Sequence, residues 1–415
     1  MNMNKPLLLL ITILLSTNLF SQVIEKPIGC FAGTNGINSL AMAHPESRGV
    51  LLIEKWSDIE TEPGIYNFIE LDRKIETVTS AGLKYSLAVA GGAFGSPNWL
   101  TESLGVSFHE FEYQGKSWVL PLWWDSKCEI KLNELISELG QRYSSDSMLS
   151  HVYVTQMTVN GVEGHLNGVN MMEFSNDGYT QNKWIEQAKK TTLQFADAFP
   201  SKPIVFEIHE IDRDTTVVNE IVRYLNNHEK LCKRFGIGMW WLSGKDTYQT
   251  NLITFIKNYE GDKYAQVIGR SDQKQRFQDS SYATVFEQAK ELRIRYIEPW
   301  PYEFQFNTHD SIIKDFNLWA DQNFKTTDTC TQTSIEKIDP MGIKIFPNPV
   351  SNELVININS PYQNLRIGIY DTGGNKINEY RNQRIIDVNS LSKGVYMIVL
   401  TLDQNQIIRK RFVVE

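Results

Sequence analysis

The chain has 415 residues, 41% hydrophobic and 22% charged, an ordinary globular balance with enough apolar residues for a large core. Its formal net charge is -8 and it has no long Lys/Arg run, which argues against phosphate neutralisation and so against nucleic acid as a partner. The N-terminal "MNMNKPLLLLITILLSTNLFSQ" sets one basic residue, Lys5, before an apolar run from Leu7 to Phe20, followed by Ser21 and Gln22. That pattern predicts a secretion signal over residues 1–21. The run is short for a membrane span and is interrupted by Ser16, Thr17 and Asn18, so an uncleaved anchor is the lesser alternative. No Cys ends the run, and lipoprotein anchoring is not indicated. Export permits disulfides, and four cysteines, Cys30, Cys128, Cys232 and Cys330, are scattered along the chain. They lack the clustering and nearby His of a zinc site. Three pairings are open, as are buried free thiols.

From residue 22 to 325 strand-like and helix-like stretches alternate. The strands are "IGCFAG" from Ile28, "GVLLIEKW" from Gly49, "KYSLAVAGG" from Lys84, "HVYVTQMT" from His151, "PIVFEIHE" from Pro203, "IGMWW" from Ile237, "AQVIGR" from Ala265 and "RYIEPW" from Arg295. Helical patterns such as "ELDRKIETVTSAG" and "KLNELISELGQRY" lie between them. Eight strands alternating with helices predict an α/β fold, a (β/α)8 TIM barrel. A doubly wound open sheet is the alternative, but no G-x-G-x-x-G or P-loop follows any strand. Nor is there a Gly-x-Ser-x-Gly elbow, a His-Glu-x-x-His or a Cys-His dyad, which disfavours serine, zinc and thiol hydrolases.

Catalytic groups of such barrels sit at the C-terminal ends of the strands. Glu163, in "VNGVEGHL", lies just past the fourth strand, where a carboxylate of raised pKa can protonate a leaving oxygen. In "PIVFEIHE", Ile204, Phe206 and Ile208 form the apolar outer face, so Val205, Glu207 and His209 point inward. In "RYIEPW", Tyr296, Glu298 and Trp300 share a face. Glycoside hydrolysis needs two carboxylates flanking the bond, about 5 Å apart for retention and farther for inversion. Glu298 is the first choice as partner of Glu163, with Glu207 close behind. Each has a structural alternative: a loop cap for Glu163, an ion pair with Arg295 for Glu298, and a positioning network for Glu207 with His209. Aromatic and polar groups near strand ends, Trp99, Trp124, Asp125, His165, His209, Trp241 and Trp300, are candidates for substrate binding, although Trp equally fills barrel cores.

Three stretches carry a resemblance. "WSDIETEPGIYNFIELD" (Trp56 to Asp72), "GSPNWL" (Gly95 to Leu100) and "NGVEGHL" resemble successive strand-end segments of clan A glycoside hydrolases, notably the family 42 beta-galactosidases and their relatives. The resemblance implies that Glu163 is the acid/base and that Trp99 belongs to a sugar-facing loop. It also implies an Asn directly before the acid and a Glu nucleophile at the seventh strand. Here Asn160 stands three residues earlier, and "AQVIGRSDQ" offers only Asp272.

Residues 326–342, polar and Thr-rich, read as a linker. Beyond them "IKIFPNP", "ELVINI", "LRIGIYDTGGNKI" and "GVYMIVLTLDQNQIIRKRFVVE" are short strands between Gly, Asn and Pro turns, which predicts a small all-β immunoglobulin-like sandwich over residues 343–415. The "FPNP", "IYDTGGNKI", "LSKGVYMIVL" and terminal "KRFVV" motifs resemble the C-terminal sorting domain of proteins exported by the type IX secretion system. That resemblance implies the secretion machinery as a partner and a secreted or cell-surface destination; an adhesive module is the alternative on fold alone.

The expectation is a secreted glycoside hydrolase that acts on an oligo- or polysaccharide by two-carboxylate chemistry, without cofactor or metal and without a stable membrane span. A barrel that binds carbohydrate but has lost an acid is the alternative, favoured by the missing seventh-strand Glu.

Overall fold

The computed structural model describes residues 19–34, 36–333, 343–358, 364–371, 375–403 and 406–415. The expected signal up to residue 18, residues 334–342 of the expected linker and 372–374 of the "IYDTGGNKI" motif lie outside the described residues. The chain divides into two units, one spanning Ser21–Gln332 and the other containing Thr333–Glu415.

In the first unit eight parallel strands form one sheet: β1 (Gly29–Cys30), β2 (Gly49–Lys55), β3 (Lys84–Ala90), β4 (Leu149–Tyr153), β5 (Ile204–Glu207), β6 (Phe235–Leu242), β7 (Asp262–Val267) and β8 (Tyr296–Glu298). Each pairs with its sequence neighbours, β8 returns to β1, and a parallel bridge between Ala32 and Val50 joins the first strand segment to β2. This is the (β/α)8 barrel expected from the alternation. The helices that follow the strands are α1 (Ser39–Ala43), α2 (Ile69–Ser80), α3 (Ser126–Tyr143), α4 (Gln181–Ala198), α5 (Thr216–Asn226), α6 (Thr250–Asn258), α7 (Ala283–Glu291) and α8 (Asp310–Asn323).

Strand alternation sorts the core into two layers. Ile204, Phe206 and Ile208 join the layer between sheet and helices, where α3 contributes Leu132, Leu135, Ile136 and Leu139 at helical spacing. Val205, Tyr153, Trp240, Tyr264 and Tyr296 fill the lumen with Phe31, Leu51 and Ala88. The lumen is therefore a packed core whose polar members are few and specific.

Strand β4 is shorter than the "HVYVTQMT" reading. Val154 still donates to Val205 O at 2.9 Å, but the Gln156 N–H turns to Gly161 O, also at 2.9 Å, and the chain leaves the sheet. An antiparallel hairpin, Phe108–Tyr113 with Lys116–Pro121, is inserted between β3 and α3. Cys232 and Cys330 form a disulfide, whereas Cys30 and Cys128 are buried free thiols. Cys330 lies on Thr327–Thr333, a strand that pairs with Leu19–Glu25 and occupies the first part of the segment read as linker.

The second unit contains a three-stranded antiparallel sheet (Lys344–Phe346, Glu353–Asn357, Ile385–Asp387) and a four-stranded one (Lys376–Arg381, Leu365–Tyr370, Gly394–Leu402, Gln406–Val414). Leu354, Ile356, Ile367, Ile369, Ile398 and Phe412 are buried in its core. No helix among the described residues is long and apolar enough to cross a membrane.

Candidate active site

The loop after β4 is drawn tightly against its neighbours. Gly161 has φ 84°, and a Cβ there would lie 2.2 Å from Gly91 O, so only glycine fits beside the end of β3. Gln156 is fully buried; its Nε2 donates to Val162 O and to Glu207 O, both at 2.8 Å, which clamps the loop to β5. Asn160 Oδ1 accepts from the N–H groups of Val162 (3.1 Å) and Glu163 (2.8 Å), an Asx turn. Asn160 Nδ2 donates to Glu163 Oε1. Asn160 stands three residues before Glu163 in sequence, yet its side chain meets that carboxylate.

Glu163 is half-buried, and beside it Glu207 and His209 are buried. One oxygen from each carboxylate and one ring nitrogen of His209 lie within 4.8 Å of one another. Glu207 Oε1 accepts from the Trp240 N–H (3.0 Å), and Oε2 accepts from the Gly164 N–H (2.6 Å) and from His209 Nδ1 (2.9 Å). Acceptance from three donors suits an ionised carboxylate. Burial, and then the charge of Glu207, push the Glu163 pKa up to about 7, against the opposing pull of His209 and Asn160. Burial works against a charged His209, but its contact with Glu207, with Glu163 behind, outweighs this and raises its pKa. His165, 5.4 Å from His209 between ring centres, is driven down to about 3 by burial and by His209. The arrangement offers a proton on Glu163 next to a fixed negative charge. The same three side chains carry ligand atoms for a cation, but Glu207 and His209 already satisfy each other.

Glu298 belongs to a different group, inside the lumen. Its Oε1 accepts from the Tyr153 hydroxyl (3.1 Å) and the Tyr296 hydroxyl (2.6 Å), and its Oε2 accepts from Gln266 Nε2 (2.9 Å). Ser86 Oγ lies 3.0 Å from the Tyr296 hydroxyl, and Thr34 Oγ1 lies 3.3 Å from Gln266 Oε1. Burial lifts the Glu298 pKa to about 7 even though these donors pull it down. The expected partner Arg295 instead pairs with Asp262.

The remaining candidates divide. Trp241 is buried; its Nε1 donates to Ile208 O (2.8 Å), and its ring meets His209 edge-on at 6.0 Å. Trp99 is buried, donates from Nε1 to Glu60 O (2.9 Å) and packs edge-on against Trp56. Trp124 packs with Phe174, Tyr179 and Trp184 in the helical layer, and Asp125 caps α3 by accepting from the Lys127 N–H. Trp300 is half-buried and donates to Val267 O (2.8 Å). Asp272 is exposed and pairs with Arg270. Thus Glu163, Glu207, His209, His165 and Trp241 come together, while Trp99, Trp124 and Asp125 support loops and helices. Gln266 escaped the sequence reading, although the alternation of Tyr264 and Gln266 against Ala265 and Val267 on β7 carries its inward orientation.

Residues 344–415 match the family described as the secretion system C-terminal sorting domain. The second unit is such a domain, and the chain carries the address of a protein exported to the cell surface or beyond. No curated protein matches the chain. Among solved structures, the catalytic domain of a beta-amylase from Paenibacillus polymyxa is 10% identical, with a TM-score of 0.50, and the match covers 72% of this chain and 99% of that one. An endo-beta-1,4-mannanase double mutant from Cellulomonas fimi is 10% identical, with a TM-score of 0.43 and 94% of each chain covered. A beta-galactosidase from Halorubrum lacusprofundi is 9% identical, with a TM-score of 0.43, covering 66% of this chain and 52% of that one. The first likeness establishes the barrel fold.

Proposed function

We propose that the barrel is an exported glycoside hydrolase in which Glu163 is the general acid and Glu207 the second carboxylate. The observation that carries this reading is the approach of Glu163 and Glu207 to within 4.8 Å at the C-terminal rim of the barrel. Such closeness suits retention, where the carboxyl groups stand about 5 Å apart. In the first step Glu163 gives its proton to the glycosidic oxygen as Glu207 attacks the anomeric carbon. In the second, Glu163 takes a proton from water, which displaces the Glu207 ester. His209 holds Glu207 in place through its Nδ1 hydrogen bond. No metal or organic cofactor enters these steps. The solved structure with the TM-score of 0.50 is the catalytic domain of a beta-amylase, which agrees with this reading.

The test is hydrolysis across a panel of aryl glycosides and oligosaccharides by the wild-type chain, Glu207→Gln and Glu298→Gln. Glu207→Gln should lose turnover on every substrate, and the wild-type product should keep the substrate's anomeric configuration by NMR. If Glu207→Gln stays active while Glu298→Gln does not, the second carboxylate is Glu298. Full burial of both Glu207 and Glu298 favours a second reading, a carbohydrate-binding barrel without turnover. Binding without hydrolysis by the wild-type chain would establish it.

A further inference from the structure

The loops that follow β6 and β7 are joined to each other and to the acid group by hydrogen bonds. The Glu210 N–H, one residue past His209, donates to Gln249 Oε1 (3.0 Å), and Trp241 Nε1 donates to Ile208 O, so the β6–α6 loop is tied to the segment that carries Glu207 and His209. The β7–α7 loop is tied in turn to the end of β6, through the Ile268 N–H to Leu242 O (3.0 Å) and the Gln278 N–H to Ser243 O (3.3 Å). Across this junction Lys245 Nζ donates to Gln275 O (2.9 Å). Gln275 is the middle residue of one 3-10 turn, Lys274–Arg276, so the bond sets the Lys245 ammonium against the turn that carries Lys274 and Arg276. Arg276 is drawn back over the end of β7. Its Nη1 donates to Ile268 O (2.7 Å), and a Cβ on Gly269 would lie 2.6 Å from Arg276 Cδ, so glycine lets the side chain lie across the backbone there.

These three cations have no carboxylate of their own among the described residues. Asp272 is taken by Arg270 through two hydrogen bonds (3.1 and 2.8 Å), and Asp246 is engaged by Gln288 and Lys257. Buried Glu303 accepts from the Ser271 N–H (2.7 Å) and the Thr308 hydroxyl (2.6 Å). Mutual repulsion drives unpaired cations apart, yet here three are gathered on one edge of the rim in a chain of net charge -8. The loop after β5 has the opposite balance, Glu210, Asp212 and Asp214 against Arg213. Salt screens exposed charges beyond about 10 Å, so a ligand at this edge meets the local positive sign and not the net negative one. We propose that Lys245, Lys274 and Arg276 receive the anionic groups of an acidic polysaccharide, uronate carboxylates or sulfate esters, which makes a charged glycan the substrate class of the site. The inference rests on the glycoside hydrolase reading, and it places the charged sugars on the β7 side of the cleaved bond. Arg276 keeps guanidinium N–H groups free for a carboxylate or sulfate, whereas the two lysines act as point charges.

The test compares glycans that differ only in charge, using the full chain with Glu163→Gln so that the ligand is not consumed. The carboxylate arm pairs de-esterified with methyl-esterified homogalacturonan and alginate with its ester; the sulfate arm pairs carrageenan with agarose and sulfated with native laminarin. Calorimetry at low salt should find at least one charged member bound about ten-fold tighter than its neutral counterpart, and the arm in which this happens identifies the anion. Adding Lys245→Gln, Lys274→Gln and Arg276→Gln together should abolish that preference and leave binding of the neutral member unchanged, with circular dichroism checking the fold. Arg276→Lys should keep most of it, which separates charge from the packing of Arg276 over Gly269. Lys290→Gln, at the far end of α7, should change nothing. A lack of preference in every pair, a preference that survives the triple variant, or equally tight binding of single-stranded DNA that the triple variant removes would overturn the assignment, the last by making the patch a general polyanion site. Charge-dependent glycan binding without hydrolysis by the wild-type chain would keep the patch and remove the hydrolase reading. Hydrolysis of neutral glycans alone, at a rate the triple variant leaves unchanged, would do the reverse.

Discussion

The barrel holds two carboxylates whose pKa values are both pushed to about 7, Glu163 at the rim and Glu298 in the lumen, and they arrive there by different physics. Glu163 is raised by burial together with a neighbouring negative charge, and His209 lies close enough to moderate that charge. Glu298 is raised by burial and is opposed only by neutral donors: two tyrosine hydroxyls, an amide and a serine. Glu163 keeps a route to solvent, whereas Glu298 is fully buried. A perturbed pKa therefore does not by itself identify a catalyst. What separates the two is whether the proton has somewhere to go. At the rim, on the reading proposed above, a substrate oxygen receives it; in the lumen it is shared among side chains that also fill the core.

The largest expected effect tests the rim. Glu163→Gln keeps the size of the side chain and its amide can still meet Asn160, but the titratable proton is gone. Turnover of an oligosaccharide should fall by about 10² to 10⁴-fold. Aryl glycosides with acidic leaving groups should lose much less, because their departure needs little protonation. Steady-state kinetics on a series of leaving groups measures the difference. Equal losses across the series would return Glu163 to a structural role and remove the contrast with Glu298.

The lumen is tested by stability against pH. The folded pKa of Glu298, about 7, lies above its ordinary 4.5, so the folded state holds this proton more tightly than the unfolded chain. Its contribution to stability is full below about pH 4.5 and is lost as pH rises through 7. The span corresponds to roughly 3 kcal/mol. Buried His165 and His151, both driven down to about 3, act in the opposite direction, so the comparison is between variants rather than along one curve. Glu298→Gln relative to wild type should gain stability progressively between pH 4.5 and 7, as measured by urea unfolding. A difference independent of pH would mean that Glu298 does not titrate in this range.

Much of this contrast was legible in the sequence. Period-two alternation turned Glu207, His209 and Glu298 inward, and the strand count predicted the barrel. The same rule applied to β7 exposes Gln266, the amide that meets Glu298 from the strand where the resemblance carries a Glu. Tryptophan was less readable. Trp99 and Trp124 stand near strand ends as sugar-binding residues do, but Trp99 turns its N–H to a backbone carbonyl and Trp124 packs its ring in the helical layer. Sequence position does not reveal which face of a ring is covered. The grouping of Glu163 with Glu207 was also hidden. It depends on a loop folded by Gln156, Gly161 and an Asx turn, all long-range or side-chain contacts that leave no periodicity.

The smallest effect concerns that turn. Asn160 Nδ2 donates to Glu163 and favours its ionised form, which is why Asn160 opposes the rise in pKa. Asn160→Ala removes the donor, so the Glu163 pKa should climb further and the alkaline limb of kcat/KM should move to higher pH, by a fraction of a unit. Loss of the Asx turn would loosen the loop as well and lower the plateau. Asn160→Asp separates the two consequences. It keeps an oxygen to accept from the Val162 and Glu163 N–H groups, so the loop stays in place, while a third negative charge beside Glu163 and Glu207 should move the limb farther upward than Ala does. A limb that moves down in both variants would mean that the proton read by the pH profile is not on Glu163. One that moves with Asp alone would mean that charge, and not the Asn160 hydrogen bond, sets the position of the acid's titration.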